Sequence, residues 1–438
     1  MTNHRPEGRA DARRHARAAT LIRHRRRPSR SHTTLALIKV LAIAVALVLV
    51  SGASVAAIAV SQFATKVSAN AVDISNGATD LPAVPQLGSF EGGFNVLVVG
   101  VDNSLTQSAA YGDRTGTLND VNILLHVSAD HKSAVVISIP RDLVVSQPAC
   151  TDPDTGKVSK AVSSTAMNAS FGRGGLGCVV STVSALTGLT IPYAGLISFE
   201  GTVAMADAVG GVPICLNDAI KDPYTGLDLP AGTSVVSGTA ALSYLRSRHG
   251  VGDGSDLSRI SSQQAYMSSL MRVMKSSATL TDVSKLSALA TSAGTNLKLS
   301  TSLANIPTMV GMALALKDID LNKLVFVQYP SATDPDNLAK LVPSTALAKK
   351  LFAAVTADQS FTLDAESLGN SAELDPTSTP SATPAATATP TTTPTDPATG
   401  AATATPTPAA TDAAAPVEIS GLRGQTASQQ TCSIAYNY

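Results

Sequence analysis

The sequence predicts an α/β fold: an α/β/α sandwich with a central mixed β-sheet, preceded by a single transmembrane helix. Short and almost continuously apolar runs at residues 94–101, 121–127 and 134–139 are typical of strands that are buried on both faces of a sheet. Stretches with apolar residues at helical spacing follow them along the chain. A longer run over residues 40–60 contains no charged residue and predicts the membrane-spanning part.

The N-terminal segment carries the strongest charge asymmetry of the chain. Residues 1–39 contain ten arginines and one lysine against two acidic residues, whereas the whole chain is balanced at 32 basic and 32 acidic residues. The uncharged run behind this basic arm is longer than the apolar core of a cleaved signal peptide. Because positive charge stays on the cytoplasmic side, we expect a cytoplasmic arm over residues 1–34, a transmembrane helix over 35–60 and the remaining chain outside the cell.

A stalk over residues 61–90 leads into the predicted extracytoplasmic domain, residues 91–365. Its first strand ends at Asp102, and α/β sheets place ligands beyond the carboxyl ends of their strands. Asp120 precedes the second strand, and the third strand runs into Arg141. We therefore expect two carboxylates and a guanidinium to surround one crevice at the edge of the sheet.

The rest of this domain alternates between helices and strands. Pro213 lacks a backbone N–H, which predicts that the strand at 214–216 lies at the edge of a sheet. Four apolar residues recur at spacings of three and four in one helix, a stripe that is more typical of a core, with a slot for a lipid chain as the alternative. These four are Met267, Leu270, Met271 and Met274. Helices are predicted over 176–186, 199–209, 265–275, 301–316 and 342–356, and strands over 197–199 and 323–329.

The composition changes near the end of this domain. The changed stretch covers residues 366–416, and its part from Pro376 to Pro416 is dominated by Ala, Thr and Pro and carries almost no charge. Such a tract cannot bury enough apolar surface to offset the entropy of ordering, so we expect a disordered linker. Apolar character returns in a C-terminal tail, residues 417–438.

Four cysteines allow three disulfide pairings. Disulfides persist outside the cell, where the orientation of the transmembrane helix places all four. We predict a Cys150–Cys178 bond, which would restrict the polar segment between the two residues. We also predict a Cys215–Cys432 bond, which would tie the C-terminal tail to the folded domain.

Three arginines and two acidic residues fall within residues 244–263, without a lysine. A Gly-rich loop after Arg248 predicts that a helix ends there, so that Arg246 and Arg248 can converge on one ligand although they share no helical face. Arginine forks bind phosphate oxygens with two parallel hydrogen bonds. The alternative is a solvated loop in which Arg259 pairs with a nearby acid such as Asp256.

This stretch resembles the signature of the LytR-CpsA-Psr family of cell-wall phosphotransferases. Residues 244–248, YLRSR, stand where the family reads Tyr-Val-Arg-x-Arg. Residues 256–264, DLSRISSQQ, stand where it reads Asp-(Leu/Phe)-x-Arg-Ile-x-Arg-Gln-Gln. Similar blocks follow the family's order at Asn95–Asp102, Ile139–Asp142 and Met167–Phe171, within a similarity over residues 94–330. Before the second strand this chain keeps the family's aspartate, Asp120, but has Leu118 at the arginine position, and Arg114 is the nearby arginine that can supply this charge.

The resemblance implies a membrane-anchored enzyme that moves a glycopolymer phosphate from a polyprenyl-pyrophosphate carrier to a hydroxyl of peptidoglycan. It implies that arginines neutralise the charge on the leaving phosphate, and that Asp102 or Asp256 takes the proton of the acceptor. Mg²⁺ (or Mn²⁺), which prefers carboxylate oxygens, would be held by Asp102 and Asp120. The implied catalytic residues are Asp102, Arg141, Arg246, Arg248, Asp256 and Arg259, and the implied substrate-binding residues are Arg114, Asn168 and Gln263.

Two other functions stay open from the sequence. The leucine at position 118 is compatible with a non-catalytic protein that binds pyrophosphate lipids or wall polymer, and turnover with such a lipid and Mg²⁺ separates the two. A regulator could use the basic arm on nucleic acid, but an extracytoplasmic domain cannot reach DNA, so no nucleic-acid partner is expected. The chain contains neither a Gly-x-Ser-x-Gly nucleophile motif nor a phosphate-binding Gly-x-x-x-x-Gly-Lys-Ser/Thr motif.

Overall fold

The computed structural model describes residues 38–43, 58, 60–75, 85, 90–102, 117–153, 155–276, 279, 282–364, 366–378 and 416–436. The predicted cytoplasmic arm, most of the predicted transmembrane segment, Arg114 and most of the predicted linker lie outside these residues, so the expectations for them stay predictions. Within the described residues, no helix combines the length and the apolar character needed to cross a bilayer. By its internal contacts the chain divides into residues 1–60 and 61–438, and the following description concerns the second unit.

The described residues of this unit form strands and helices in the following order. The strands are β1 Phe94–Val101, β2 Asn119–Val127, β3 Ala134–Ile139, β4 Val144–Gln147, β5 Cys150–Thr151, β6 Val158–Ser159, β7 Val162–Ala166, β8 Tyr193–Ile197, β9 Val212–Leu216, β10 Ile220–Asp222, β11 Leu227–Leu229, β12 Gly232–Val236, β13 Leu297–Leu299, β14 Leu324–Gln328, β15 Ser331–Thr333, β16 Leu341–Pro343, β17 Phe361–Thr362, β18 Ala372–Leu374, β19 Val417–Glu418, β20 Gly424–Thr426 and β21 Thr431–Ser433. The helices are α1 Phe171–Thr187, α2 Phe199–Val209, α3 Gly238–Arg246, α4 Asp256–Lys275, α5 Val283–Asn296, α6 Ile306–Lys317 and α7 Thr345–Thr356, with 3₁₀ turns at Met167–Ala169 and Leu321–Lys323.

A seven-stranded sheet with the order β13-β8-β1-β2-β3-β14-β20 occupies the centre of this unit. Strands β8 and β1 are parallel, as are β3 and β14, and the other neighbours are antiparallel, so the predicted mixed sheet is confirmed. The three apolar runs found in the sequence are the strands β1, β2 and β3. All six residues of β3 are buried, as expected for a strand covered on both faces.

Apolar side chains pack on both faces of the sheet, because successive residues of a strand point to opposite sides. On one face Leu97 and Ile137 belong to a core cluster with Val183 of α1 and Leu351 of α7. On the other face a second cluster includes Val136 and, from the helix α6, Met312. Helices therefore cover both sides of the sheet, as in the predicted sandwich.

The ends of three central strands meet at one edge of the sheet. Strands β1 and β2 are antiparallel with Val101 opposite Asn119, and β2 and β3 are antiparallel with Asn122 opposite Ile139. The end of β1, the start of β2 and the end of β3 therefore lie side by side. This register brings the segments that carry Asp102, Asp120 and Arg141 together, as the sequence predicts.

A smaller sheet with the order β12-β9-β21-β18 contains the strand predicted at 214–216. That strand, β9, was expected at an edge, and the expectation is wrong: β9 lies between β12 and β21. Its proline is tolerated because β21 pairs only with Cys215 and Leu216, so that no backbone donor is required of Pro213 on that side.

Both predicted disulfides are present. Cys150 and Cys178 have their Cα atoms 5.3 Å apart and join β5 to α1. Cys215 and Cys432 have their Cα atoms 4.3 Å apart and lie opposite each other on the parallel strands β9 and β21. The described residues contain no free cysteine.

The chain folds over a longer stretch than the predicted boundaries. Strand β18, residues 372–374, lies inside the range 366–416 that was expected to be a disordered linker, and it pairs with β21. The predicted tail contributes β20 to the central sheet and β21 to the smaller one. At the other end, residues 61–69 of the predicted stalk are helical, and Val67 is buried in the second core cluster.

Candidate functional site

Seven charged side chains form one network at the sheet edge where β1, β2 and β3 meet. Ion pairs connect four cations with three carboxylates, all partly or fully buried. This ion-pair cluster consists of Asp120, Arg141, Asp142, Arg248, Asp256, Arg259 and Lys340. Its composition leaves one positive charge in excess, which suits an anionic ligand.

Asp256 lies at the centre of the ion-pair cluster, in the first turn of α4. Its Oδ1 atom lies 2.5 Å from Nη2 of Arg259, 3.1 Å from Nη2 of Arg248 and 3.7 Å from Nε of Arg141. The helix starts here because the hydroxyl of Ser255 accepts a hydrogen bond from the backbone N–H of Ser258. These contacts indicate that Asp256 holds the three guanidinium groups in place.

Arg259 is almost completely buried, with its side chain 5% exposed. Its Nη2 atom also donates to the backbone oxygen of Asp120 at 3.2 Å. Burial lowers the pKa of Arg259, although Asp256 counteracts this effect. The Nε atoms of Arg259 and Arg248 and the Oδ2 atom of Asp256 are buried without a hydrogen-bond partner. Orphaned buried donors of this kind cost free energy, which a phosphate oxygen can recover.

Arg141 and Asp120 form a close pair, with 2.6 Å between Nη1 and Oδ1. Burial pulls the pKa of Arg141 down, but the carboxylates of Asp120, Asp256 and Asp142 outweigh it, so that the pKa is raised above its ordinary value. Arg141 thus remains a fixed positive charge. Of the predicted arginines, Arg141, Arg248 and Arg259 lie together in the ion-pair cluster.

Two residues of the ion-pair cluster were missed as site residues. Asp142 accepts from Nη2 of Arg248 at 3.3 Å and from Nζ of Lys340 at 2.8 Å. Burial raises the pKa of Asp142. The positive charges of Lys340, Arg141 and Arg248 lower it by a larger amount, so the net shift is downward. Asp142 carried a sequence signal, because it directly follows Arg141 in the Ile139–Asp142 block. Lys340 carried none, since it lies in a loop almost two hundred residues away.

Arg246 and Gln263 lie beside the ion-pair cluster at the wall of a cavity. The helix α3 ends at Arg246 and the next residue is extended, so the helix ends two residues before the predicted end at Arg248, and Arg248 lies outside it. The guanidinium of Arg246 stacks 4.4 Å from the centre of the Phe199 ring. The side chain of Gln263 donates to the backbone oxygen of Leu245 at 2.8 Å.

The cavity has a volume of about 360 Å³ and an almost wholly apolar wall. It lies between the β1–β2 surface and the helices α2 to α5. Asp120, Arg246, Arg259 and Gln263 also line it, so this apolar cavity adjoins the ion-pair cluster. All four residues of the predicted methionine-leucine stripe belong to its wall, together with Val98, Ile123, Phe199, Leu245 and Leu289. The stripe therefore lines an apolar cavity, and Met267, Leu270 and Met271 also pack against core clusters.

Asp102 is completely buried at the end of β1. Its Oδ1 atom accepts a hydrogen bond from the backbone N–H of Leu118 at 2.8 Å, which links the end of β1 to the residue before β2. Asp102 and Asp120 offer hard oxygen atoms from neighbouring strand ends, a donor type that fits a divalent cation bridged to phosphates. Among the described residues, the one group of three potential metal ligands within reach of one another is Cys215, Asp375 and Cys432, and its thiols are used in a disulfide.

Asn168 is placed next to Arg141 by the backbone, since its N–H donates to the carbonyl of Arg141 at 2.9 Å. The fully buried Asn119 supports this turn: its side chain donates to the carbonyl of Met167 and accepts from the N–H of Phe171. Asn119 was not predicted as a site residue. In the sequence, the feature that could have indicated Asn119 was its position directly before Asp120, at the start of a buried strand.

Buried Asp222 fixes the loop that carries Arg248, and it too was missed. Its Oδ2 atom accepts from the hydroxyl of Ser247 at 2.7 Å and from the backbone N–H of Arg248 at 3.1 Å. The loop approaches so closely that a Cβ atom on Gly250 would lie 2.7 Å from Ile220. Glycine is required there, which explains part of the Gly-rich pattern.

Comparison with known proteins gives relatives that include proteins of Corynebacterium, Streptococcus and Bacillus. The cell wall biosynthesis protein LcpA of Corynebacterium glutamicum is 36% identical over 46% of this chain and 43% of its own length, so the match spans less than half of that relative. The polyisoprenyl-teichoic acid–peptidoglycan teichoic acid transferase TagT of Bacillus subtilis is 24% identical over 67% of this chain and 87% of its own length.

A solved structure and a family model complete the comparison. The LytR-Csp2A-Psr enzyme from Actinomyces oris aligns with a TM-score of 0.47 at 18% identity, over 63% of this chain and 96% of that one. The LytR_cpsA_psr family model matches residues 50–356, well over half of the chain. The protein therefore belongs to the LytR-CpsA-Psr family.

Proposed function

We propose that this protein is a membrane-anchored transferase that moves a glycopolymer phosphate from a polyprenyl-pyrophosphate carrier to peptidoglycan. The observation that carries the proposal is the junction of an arginine-rich ion-pair cluster with an apolar cavity, which share Asp120 and Arg259. A lipid pyrophosphate has the matching two parts, an anionic head and an apolar chain. The names of two relatives, a cell wall biosynthesis protein and a polyisoprenyl-teichoic acid–peptidoglycan teichoic acid transferase, support a role in attaching wall glycopolymers.

The head of the substrate is proposed to bind at the ion-pair cluster. A pyrophosphate diester carries about two negative charges near neutral pH, and transfer places more charge on the leaving phosphate. The orphaned Nε donors of Arg248 and Arg259 are available to phosphate oxygens. Because the carboxylate of Asp256 already holds these arginines, they need little reorganisation when the charge develops, and such preorganised donors stabilise a transition state most.

The apolar chain is proposed to enter the cavity. Four methionine side chains, of residues 205, 267, 271 and 274, line its wall, and their flexibility suits a ligand without fixed shape. Each methylene group removed from water contributes about 0.8 kcal/mol to binding. Arg246, at the cavity wall, would contact the phosphate nearest to the lipid.

Mg²⁺ or Mn²⁺ is proposed as the cofactor, and Asp102 and Asp120 are the residues that would hold it. A bound divalent cation supplies charge neutralisation at phosphate oxygens. Asp102 is held by the N–H of Leu118 and Asp120 by Arg141, so the chain itself orients both carboxylates. The acceptor hydroxyl would lose its proton to a carboxylate of this site.

The cell membrane is the proposed location, with the N-terminus in the cytoplasm and the domain outside. The arginine-rich arm before an uncharged run of membrane-spanning length supports this orientation. Two disulfides among the described cysteines support an oxidising compartment.

A transfer assay tests the proposal. Full-length protein in detergent is given a polyprenyl-pyrophosphate glycolipid, peptidoglycan oligomers and Mg²⁺, and glycan attached to peptidoglycan is measured. We expect Arg248→Ala to lower turnover by roughly 10²- to 10³-fold, the effect of losing one preorganised donor. Arg248→Lys should retain only part of the wild-type turnover, because lysine keeps the charge but loses the planar fork.

Arg423→Ala is the matched control, since Arg423 contacts backbone carbonyls of residues 366 and 368 outside the ion-pair cluster. It should retain wild-type turnover. Full activity of an Arg246→Ala, Arg248→Ala double variant would refute the proposed site. Tight binding of the glycolipid without any turnover would identify a non-catalytic binding protein instead.

A further inference from the structure

An exposed aromatic pair lies beside the loop of Arg248 and has no role in the site described so far. The rings of Tyr224 and His249 are 4.5 Å apart between centroids, at an interplanar angle of 42°. Tyr224 is 74% exposed, the largest exposure of any aromatic side chain among the described residues. His249 is exposed as well and directly follows Arg248 in the chain.

The hairpin that presents Tyr224 is held rigidly at its base. This hairpin, β10 and β11, has its residues Ile220 and Leu227 buried in a third core cluster, together with Ile214 of β9 and Tyr244 of α3. The hydroxyl of Ser243 on α3 donates to the carbonyl of Thr225 at 2.8 Å. Gly226 completes the turn with φ of +72°, a conformation that glycine adopts without strain. An exposed ring on so fixed a backbone loses little conformational freedom when a ligand packs on it.

One carboxylate ties this hairpin to the phosphate-binding loop. The Oδ1 atom of Asp222 accepts from the backbone N–H of Tyr224 at 3.0 Å, and its Oδ2 atom accepts from the backbone N–H of Arg248 at 3.1 Å. Asp222 is fully buried. The positions of the aromatic pair and of the arginine are therefore set by the same side chain.

We propose that Tyr224 and His249 form a sugar-binding platform next to the pyrophosphate site. A saccharide ring presents C–H groups on one face, and these pack against the electron-rich face of an aromatic ring. The proposal rests on the proposed function, in which a glycan is attached to the phosphate at the arginines. A hexose ring next to that phosphate can belong to the glycan of the donor or to the peptidoglycan acceptor.

Binding to matched lipids tests the platform. One lipid is a short-chain prenyl pyrophosphate without sugar, and the other is the same lipid with one N-acetylhexosamine on the outer phosphate. We expect Tyr224→Ala to weaken binding of the sugar-bearing lipid roughly two- to tenfold, the range for an aromatic stacking contact. Binding of the sugar-free lipid should stay at the wild-type value, and Tyr224→Phe should bind both lipids normally.

A second measurement tests whether the platform binds the acceptor. If the platform holds the acceptor instead, Tyr224→Ala leaves both lipid affinities unchanged and raises the KM for a peptidoglycan disaccharide by the same factor. Lys221→Ala is the control, since Lys221 forms an exposed ion pair with Asp228 on the same hairpin and has no aromatic contact.

The outcomes separate the two proposals. The platform is refuted if Tyr224→Ala behaves like Lys221→Ala in both measurements, or if it weakens the sugar-free lipid as much as the sugar-bearing one. Wild-type protein that binds neither lipid would instead refute the proposed function, and the platform with it. A loss confined to sugar-bearing ligands supports both.

Discussion

The two halves of helix α4 belong to opposite environments. The N-terminal half supplies Asp256 and Arg259 to the ion-pair cluster, where every charge is buried against an opposite one. The C-terminal half supplies Met267, Met271 and Met274 to the apolar cavity. One helix of twenty residues thus crosses from a charged region into an apolar region along its length.

The difference between these regions lies in what each leaves incomplete. The ion-pair cluster retains buried Nε donors of Arg248 and Arg259 without an acceptor. The apolar cavity retains about 360 Å³ without atoms that would make van der Waals contacts. A ligand that completes both must carry an anion at one end and a hydrocarbon at the other. A substitution in one region should therefore change the binding of only one part of the ligand.

The largest effect is expected in the ion-pair cluster. Asp256→Ala removes the carboxylate that three arginines share, and breaking a buried ion pair from one side costs about 3–5 kcal/mol. The free energy of unfolding, measured by urea titration, should fall by this amount. Asp228→Ala breaks an exposed pair with Lys221 and should cost less than about 1 kcal/mol. Equal losses of unfolding free energy in the two variants would show that burial of the cluster contributes nothing to stability.

An intermediate effect is expected in the apolar cavity. Met271→Gln keeps the length of the side chain but places an amide in the apolar wall, at a cost of about 1–3 kcal/mol when the amide is unpaired. Affinity for a long-chain polyprenyl pyrophosphate should fall, whereas affinity for inorganic pyrophosphate should not, and calorimetry can measure both.

Met309→Gln is the control for this cavity variant, because Met309 is half-buried on α6 and does not line the cavity. It should leave both affinities unchanged. If Met271→Gln weakened inorganic pyrophosphate equally, the chain and the head group would not bind in separate regions.

The smallest effect is expected at the rim of the ion-pair cluster. The pKa of Asp142 is lowered in the fold, so its contribution to stability is present above the ordinary aspartate pKa of about 3.9 and is lost as the pH falls through the lower folded value. Lys340→Gln removes one of the cations that lower this pKa. Stability near neutral pH should decrease by about 1 kcal/mol or less. The acid loss should begin at the same pH, which the unfolded pKa sets, but should be complete at a higher pH, because the folded pKa of Asp142 is lowered less.

Unfolding titrations across the acid range measure this shift. Lys221→Gln, which alters only the exposed pair with Asp228, should leave the acid range as in the wild type. An unchanged acid range in Lys340→Gln would mean that Lys340 does not influence Asp142.

The local parts of this fold and site could be predicted from sequence, and the non-local parts could not. Strands β1 and β3 and the helix α2 have the predicted bounds, because their apolar runs are continuous or end at glycine. The break after Arg246 was signalled by the glycines that follow. Lys340 reaches Asp142 across almost two hundred residues, and no local pattern encodes such a contact. The same holds for β9, whose neighbour β21 comes from the far end of the chain.

The apolar stripe of α4 shows where a local pattern is ambiguous. Helical spacing predicts that its four residues face inward, but it cannot tell a filled interior from an open one. The difference depends on how far α2 and α5 stand from the β1–β2 surface, which tertiary packing decides. Residues that support the site, such as Asp222 and Asn119, were missed for a related reason: their partners are backbone atoms of other segments.

The Cys215–Cys432 bond has a consequence for the covalent topology of the chain. It joins two strands that flank the Ala-, Thr- and Pro-rich tract at a sequence separation of 217. A protease that cuts once within residues 379–415 therefore releases no fragment, since the disulfide still links both pieces and β18 and β21 still pair across the cut. Under oxidising conditions, which preserve the disulfide, a cleaved molecule would keep its last strands in their sheets and its domain intact.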